Sequence, residues 1–329
     1  MSNTAFATAL DLVDVEKVLR VHAVRERVGH LIGDEQNLKV TRLSPTTFQI
    51  TAANGDYILR FPRDEGQLRM LRIEENVQAG MRSFVRVRIP DTVVVNDIFP
   101  NPPFAMHRRI PGRPLTSEEY VGLSPDQRDR LIEDLAVFFV ETHAIPLRVA
   151  CKWLDLPYTG SSTAAELAAM RGKPLWFSPN AVAEIHSKLT HILDGTQMDC
   201  FRATASHFSA LKSFPDHMVF GHGDMHGYNM AIGQGVSGPR LVGVFDLGCV
   251  GILDSHEDFF RLSLISEDLL ERVIGRYSSL TGQNRSMDRH RIAVYYRAFL
   301  FYLMADQSGE GLEHLKRLLR LHLAHRSVS

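Results

Sequence analysis

Between residues 8 and 32 apolar side chains recur at helical spacing among charges, Leu10, Val13, Val18, Leu19, Val24 and Val28, which predicts an N-terminal amphipathic helix. From there to about residue 110 the texture changes to short β-like runs: "LKVTRL", "TTFQITA", "DYILRFP", "DTVVVND" and "PFAMHRRI". "ANGD" lies between two of them as a hairpin turn of the Asn-Gly type. One helical segment, "EGQLRMLRIEENVQAGM", interrupts the series. Strands around a single helix predict a small α+β lobe.

After "IPGRPL" the pattern turns helical. "LSPDQRDRLIEDLAVFFVETHAI" opens with Ser124 as N-cap, Pro125 at the first helical position and Gln127 closing a capping box. Leu131, Ile132, Leu135, Phe138 and Phe139 then share one face. Further helices are predicted over 163–172, 179–213, 256–282, 286–306 and 310–326. The last turns Leu312, Leu315, Leu319 and Leu323 inward and a basic face outward, which reads as solvated surface. Among these helices sits a compact β segment, "YNMAIGQGVSGPRLVGVFDLG", two strands joined by a Gly/Pro turn.

Composition narrows the class without naming a partner. At 329 residues the chain is long for one domain, so two lobes are expected. A net charge of -1, with 44% apolar and 23% charged residues, describes an ordinary globular protein and calls for no nucleic-acid partner. Cys151, Cys200 and Cys249 are odd in number and far apart, as in reduced proteins and unlike a disulfide frame or zinc site. The N-terminus has acidic residues where a signal peptide needs a basic start, and no window approaches the roughly 18 apolar residues of a membrane span. A cytoplasmic protein is the expectation.

The β segment and the run before it hold the candidate chemistry. "HMVFGHGDMHGYNMAI" places Asp224 after a short apolar run and Asn229 five residues on, and Asp246 follows the apolar run Val242 to Phe245. If the strands form a hairpin, two carboxylates and a carboxamide converge on one point. Phosphoryl transfer needs such a set: a few oxygens for Mg²⁺, and a carboxylate to accept the proton of the attacking hydroxyl. An Asp-x-x-x-x-Asn loop ahead of a metal-binding Asp is also the layout of protein kinases. Against this, Asp or Asn at a strand end is most often a turn residue. His222 reads as structural, and His226 does not join it as a zinc pair, because the two lie in a loop with Gly223 and Gly227.

"HGDMHGYN" followed by "VFDLG" resembles the aminoglycoside phosphotransferase and choline kinase-like family, whose members carry His-Gly-Asp-x-x-x-x-Asn and an apolar-Asp-x-Gly motif. "CVGILDSHEDFF", with Asp254 and Asp258, continues the likeness downstream; "YILRFPR", "PFAMHRRIPGRPL" and "LAVFFVETHAI" extend it upstream. The resemblance covers about residues 37 to 304. It implies a two-lobed, protein-kinase-like α+β fold with a β-rich N-lobe (1–106), a hinge (107–115) and a mostly helical C-lobe (116–329). It implies transfer of the γ-phosphoryl group of ATP or GTP to a hydroxyl of a small molecule, with Asp224 as base and Asn229 and Asp246 holding Mg²⁺. Arg60 would pair with the nucleotide phosphates and Glu74 with Arg60, Glu75 being the adjacent alternative. Main-chain groups near Arg108 and Ile110 would bind the adenine edge. Asp254 and Asp258 would brace the site.

Two departures bear on activity. The turn that should cover the phosphates reads "RLSPTTFQI" and has no glycine, leaving the hydroxyls of Ser44, Thr46 and Thr47 as donors. A nucleotide-binding regulatory module without catalysis is therefore the alternative. No activation segment of usual length follows "FDLG", which sets the chain apart from protein kinases. For the acceptor, Glu257, Asp258, Glu267 and Asp268 would suit a polycation, and Trp153, Trp176, Tyr295 and Tyr296 a quaternary ammonium, if either set came together.

Overall fold

Alternation of apolar and polar residues, punctuated by Asn-Gly and Pro, builds a sheet first and helices afterwards. The structure is a computed structural model that describes residues 22–33, 38–96, 102–157, 166, 175–212, 214–236, 238–282 and 287–326. Helix α1 (His22–Ile32) leads into β1 (Lys39–Ser44), β2 (Thr47–Ala52) and β3 (Gly55–Arg60), then helix α2 (Glu65–Met81), β4 (Val93–Val95) and β5 (Phe104–Arg108). The strands form one antiparallel sheet in the order β1-β2-β3-β5-β4. A tight hairpin forms at the Asn-Gly signal but one residue earlier than predicted: Ala52 pairs with Gly55, so Ala53 and Asn54 make the turn and Gly55 opens β3. Phe48, Ile50, Leu59, Phe61, Phe104 and Met106 bury one face together with Val28 and Ile32 of α1. The part of the predicted N-terminal helix before His22 lies outside the described residues.

Helix α2 covers the predicted run residue for residue, started by Asp64, whose side chain accepts the Gln67 N–H. The second part of the chain comprises α3 (Ser117–Gly122), α4 (Pro125–His143), α5 (Leu147–Trp153), α6 (Pro179–Leu189) and α7 (Gly195–Ala210). Strands β6 (Met218–Gly221), β7 (Met230–Gly235), β8 (Gly238–Val244) and β9 (Gly251–Asp254) follow, then α8 (Ser255–Phe259), α9 (Glu267–Thr281), α10 (Arg289–Met304) and α11 (Gly309–Arg326). The capping box of Ser124 and Gln127 is present at α4.

Two predicted helices are divided. The segment 179–213 breaks into α6 and α7 because Asp194 starts a new helix with its own capping box to Gln197. The segment 256–282 breaks into α8, a 3-10 turn over Phe260–Leu264, and α9. The helix predicted at 163–172 lies outside the described residues but for Glu166.

The β7–β8 hairpin forms as read, whereas the pairing of β6 with β9 joins residues 30 to 36 positions apart and has no local signal. The segment after β5 is zipped onto the second part by main-chain bonds. Arg113 N–H donates to the Ile232 carbonyl at 3.0 Å, Ile232 N–H donates to the Arg113 carbonyl at 2.8 Å, and Leu115 N–H donates to the Gly227 carbonyl at 3.0 Å. Gly227 is required here: a Cβ would stand 1.9 Å from the Leu115 carbonyl oxygen.

Candidate active site

Strand β6 ends at Gly221 and delivers a loop whose conformation is held from below by buried side chains. His222 is fully buried, and burial lowers its pKa so that the ring is neutral. Its Nδ1 accepts the Asp224 N–H at 3.2 Å, which leaves the proton on Nε2, 3.1 Å from the Phe245 carbonyl. Asp258, also buried, accepts the N–H groups of His222 at 3.0 Å and Gly223 at 2.7 Å. Burial alone would raise the Asp258 carboxyl; the hydrogen bond and charge of His143, together with the Gly223 N–H, outweigh it and hold the carboxyl below its ordinary value. His143 reaches Asp258 at 3.1 Å and Tyr277 at 3.0 Å. His222 and Asp258 thus have the structural, bracing roles read from the sequence.

On this base the loop presents Asp224. Asn229 Nδ2 donates to the Asp224 carbonyl at 2.8 Å and to its carboxylate at 3.2 Å. With the amide nitrogen committed to Asp224, the Asn229 amide oxygen is the side-chain group that remains to act as an acceptor. His226 Nε2 lies 3.7 Å from the same carboxylate. The two histidines do not form a metal pair, because both ring nitrogens of His222 are spent.

Asp246, at the end of β8, has left-handed backbone angles, φ 58° and ψ 61°. For a non-glycine residue this costs about 1 kcal/mol, the kind of strain retained where a side chain must be aimed. Its carboxylate is 48% exposed and lies 3.6 Å from Arg60 Nη2. Arg60 in turn pairs with Glu74 at 2.8 Å. Glu75, the adjacent alternative, accepts the Val94 N–H at 3.0 Å instead.

Of the other sequence-predicted residues, Thr47 pairs with Arg60 across β2 and β3, whereas Arg108 ends β5 and pairs with Tyr57. Ser44, Thr46 and Thr47 form the β1–β2 turn; the Thr46 N–H is directed to Ser44 Oγ at 3.4 Å, and the Thr46 carbonyl accepts the Phe61 N–H. The Arg108 side chain bonds the Asn54 carbonyl at 2.6 Å, at the hairpin end of the sheet away from Arg60. The Arg108 carbonyl lies 3.0 Å from His107 Nδ1. Ile110 makes no backbone–backbone hydrogen bond among the described residues.

The aromatic and acidic acceptor sets do not assemble as such. Glu257 and Asp258 are buried, Asp268 accepts the Tyr120 hydroxyl at 2.5 Å, and Glu267 pairs with His322 at 3.0 Å. Trp153 packs with Phe84 and Phe220, whereas Trp176 packs with Phe177, Phe208 and Phe299.

Sequence reading missed Arg261. Its Nε stands 2.7 Å from Asp224 Oδ1, and Nη1 donates to the Gly223 carbonyl. The Nε–H is not aligned with the carboxylate, so that contact is an ion pair, not a hydrogen bond. The signal was a lone arginine inside "DFFRLSL", a run too apolar for an exposed charge. Elsewhere, His217, Asp254 and His256 cluster. His256 donates from Nδ1 to Asp254 and accepts the Asp288 N–H at Nε2, so its ring has no lone pair left for a metal. A cavity of about 560 Å³ bordered by Arg88, Glu133 and Arg240 includes none of Asp224, Asn229 or Asp246.

An antiparallel five-stranded lobe carrying an Arg–Glu pair, set over a helical part carrying an Asp–Asn loop and a second Asp, defines a two-lobed kinase-like fold. Residues 41–293 match the model of the phosphotransferase enzyme family APH, and the chain belongs to that family. Solved structures agree on the fold. The GDP and kanamycin complex of APH(2")-IIia superimposes with a TM-score of 0.63 at 19% identity, covering 88% of this chain and 94% of that one. The GDP complex of wild-type aminoglycoside 2'-phosphotransferase-IIIa gives 0.66 at 17% identity, with 93% and 99% covered. Macrolide 2'-phosphotransferase MphH from Brachybacterium faecium gives 0.58 at 16% identity, with 89% and 96% covered. No curated protein sequence matches the chain. No helix among the described residues is long and apolar enough to cross a membrane.

Proposed function

We propose that the chain transfers the γ-phosphoryl group of ATP or GTP to an alcohol of a small molecule, with Asp224 as the base. The observation that carries this reading is the convergence of Asp224 and Asn229, 3.2 Å apart, with Asp246 beside the Arg60–Glu74 pair. The nucleotide lies between an N-lobe (1–106) and a C-lobe (116–329), with 107–115 as hinge. The main chain at Arg108 and Ile110 meets the adenine edge, and the hydroxyls of Ser44, Thr46 and Thr47 cover the phosphates. Arg60, restrained by Glu74, presents a fixed fork to phosphate oxygens.

The Asn229 amide oxygen and the half-exposed Asp246 carboxylate make a two-oxygen donor set that fits Mg²⁺, which keeps waters and phosphate oxygens as its other ligands. When bound, the cation neutralises charge on the phosphates. The chain's own work is orientation. Asp224 takes the proton of the acceptor hydroxyl as its oxygen attacks the γ-phosphorus, and the bond from that phosphorus to the β,γ-bridging oxygen breaks, releasing ADP or GDP. His222, Asp258 and Asn229 keep the Asp224 carboxylate in place. Relatives are solved with GDP and kanamycin, with ATP and streptomycin and as macrolide phosphotransferases, which supports a nucleotide donor and a hydroxyl-bearing acceptor. The internal commitments of Glu257, Asp258, Glu267 and Asp268 give no preference for a polycationic acceptor. Cytoplasmic residence belongs to the same proposal.

Thermal shift with ATP or GTP and Mg²⁺, followed by a transfer screen over aminoglycosides, macrolides, amino alcohols and sugars, tests the reading. Asp224→Asn should bind nucleotide normally and lose transfer by about 100-fold or more. Near wild-type turnover in that variant would sink the base assignment. The glycine-free β1–β2 turn, with its Thr46 N–H already turned to Ser44, favours a second reading as a non-catalytic nucleotide-binding module. Stabilisation by nucleotide without transfer to any acceptor would select it.

A further inference from the structure

We propose that Arg261 is a positioning residue that sets the aim of the Asp224 carboxylate; the inference rests on Asp224 being the base. Asp258 and Arg261 are three residues apart across the junction of α8 and the following 3-10 turn. Asp258 takes the Gly223 N–H at 2.7 Å, and Arg261 donates to the Gly223 carbonyl. One turn of chain therefore grips Gly223 by both its polar groups, immediately before Asp224. Arg261 then continues to the carboxylate itself, 2.7 Å from Oδ1, while Asn229 Nδ2 holds Oδ2 at 3.2 Å. With its two oxygens held by residues from different elements, the Asp224 carboxylate cannot rotate freely about its side-chain torsions.

The guanidinium is itself fixed. Its carbon lies 4.7 Å from the Phe260 ring centre and 4.6 Å from that of Phe299, and its side chain is 7% exposed. Burying an arginine this far is costly, and an apolar side chain of similar volume would serve packing alone at least as well. A fork that contacts a main-chain carbonyl and a carboxylate at once explains why arginine stands here; lysine, a point charge, cannot make both contacts in one plane.

The test uses the full chain with Mg²⁺, nucleotide and an acceptor from the screen. Arg261→Ala should lower kcat by about 100-fold, the scale of a small misplacement of a reacting group. KM for nucleotide and acceptor should move by less than about threefold. Millimolar guanidinium should restore part of the rate in this variant and none in the wild type, and Arg261→Lys should recover little. Arg261→Gln, which keeps much of the stack, replaces the alanine variant if that one melts below the assay temperature. Retention of kcat, or a loss that guanidinium leaves unchanged in a folded variant, overturns the proposal. A crystallographic comparison of wild type and Arg261→Gln decides independently of any acceptor: an unmoved Asp224 carboxylate overturns the positioning role. A wild type that neither binds nucleotide nor transfers phosphate defeats the proposed function, and the crystallographic comparison still decides the role of Arg261.

Discussion

Arg60 and Glu74 stand 2.8 Å apart and tie strand β3 to helix α2, while the other Glu74 oxygen accepts the Leu247 N–H at 3.3 Å. One buried carboxylate therefore links the sheet, the helix and the residue that follows Asp246. Burial raises its pKa, and Asp246 adds to that, against the lowering effect of Arg60. Glu74→Gln keeps the shape and the hydrogen bond to Leu247 but removes the charge that restrains Arg60. Nucleotide affinity should fall about tenfold by titration calorimetry, with the melting temperature unchanged or higher, because a buried charge is costly to keep. Unchanged affinity would remove Arg60 and Glu74 from the nucleotide site.

Asp246→Asn separates charge from conformation. Asparagine tolerates left-handed backbone angles, so the loop should keep its shape. Affinity for nucleotide with Mg²⁺ should drop by about tenfold or more, while affinity measured with EDTA present should change little. Equal losses in the two conditions would show that the carboxylate acts on the loop and not on the metal.

Asp254 should make its mark at acid pH. Burial works against its charged form, but the hydrogen bond from His256 and the charge and hydrogen bonds of Arg291 prevail and hold the carboxyl at about 2, below the ordinary 3.8. A depressed carboxyl stabilises the folded state above its unfolded pKa, and that stability is lost as pH falls from about 4 through about 2. The contribution is about 2 kcal/mol. Denaturant unfolding of the wild type should show this loss over that window, and Asp254→Asn should start less stable and show a flatter profile. Parallel profiles would contradict the assignment.

Two glycines give a matched pair. Gly227→Ala places a Cβ against the Leu115 carbonyl, a backbone atom that cannot move aside, so stability should fall by about 3 kcal/mol. Gly275, in α9, has no atom within 4 Å of an added Cβ, and Gly275→Ala should stabilise by about 1 kcal/mol. Thermal unfolding of the two variants should move in opposite directions.

Much of this architecture was legible from local signals. The run of α2 and the Ser124–Gln127 capping box are set by residues a few positions apart and appear where the sequence placed them, and the hairpin at Asn54 forms one residue earlier than its Asn-Gly signal. The β7–β8 hairpin read from the sequence also forms, and it brings Asn229 and the stretch before Asp246 to one end. Where an interruption was subtle, local reading overran: α6 stops at Leu189, and Asp194 in "ILDG" caps a new helix, α7.

By itself, the sequence determined a β-rich first part followed by a mostly helical second part, the hairpin that unites Asn229 with Asp246, and the motifs by which the chain resembles its family. Tertiary structure alone decided that Glu74 and not Glu75 faces Arg60, and that β6 pairs with β9. It also decided that Asp258 and Arg261 grip the loop of Asp224 from the far side. The reason is physical. Periodicity and capping report forces between residues within a turn or two of one another. The partner of a buried charge is chosen by whichever distant element closes over it, since a charge removed from water must find its counterpart wherever the packing brings one.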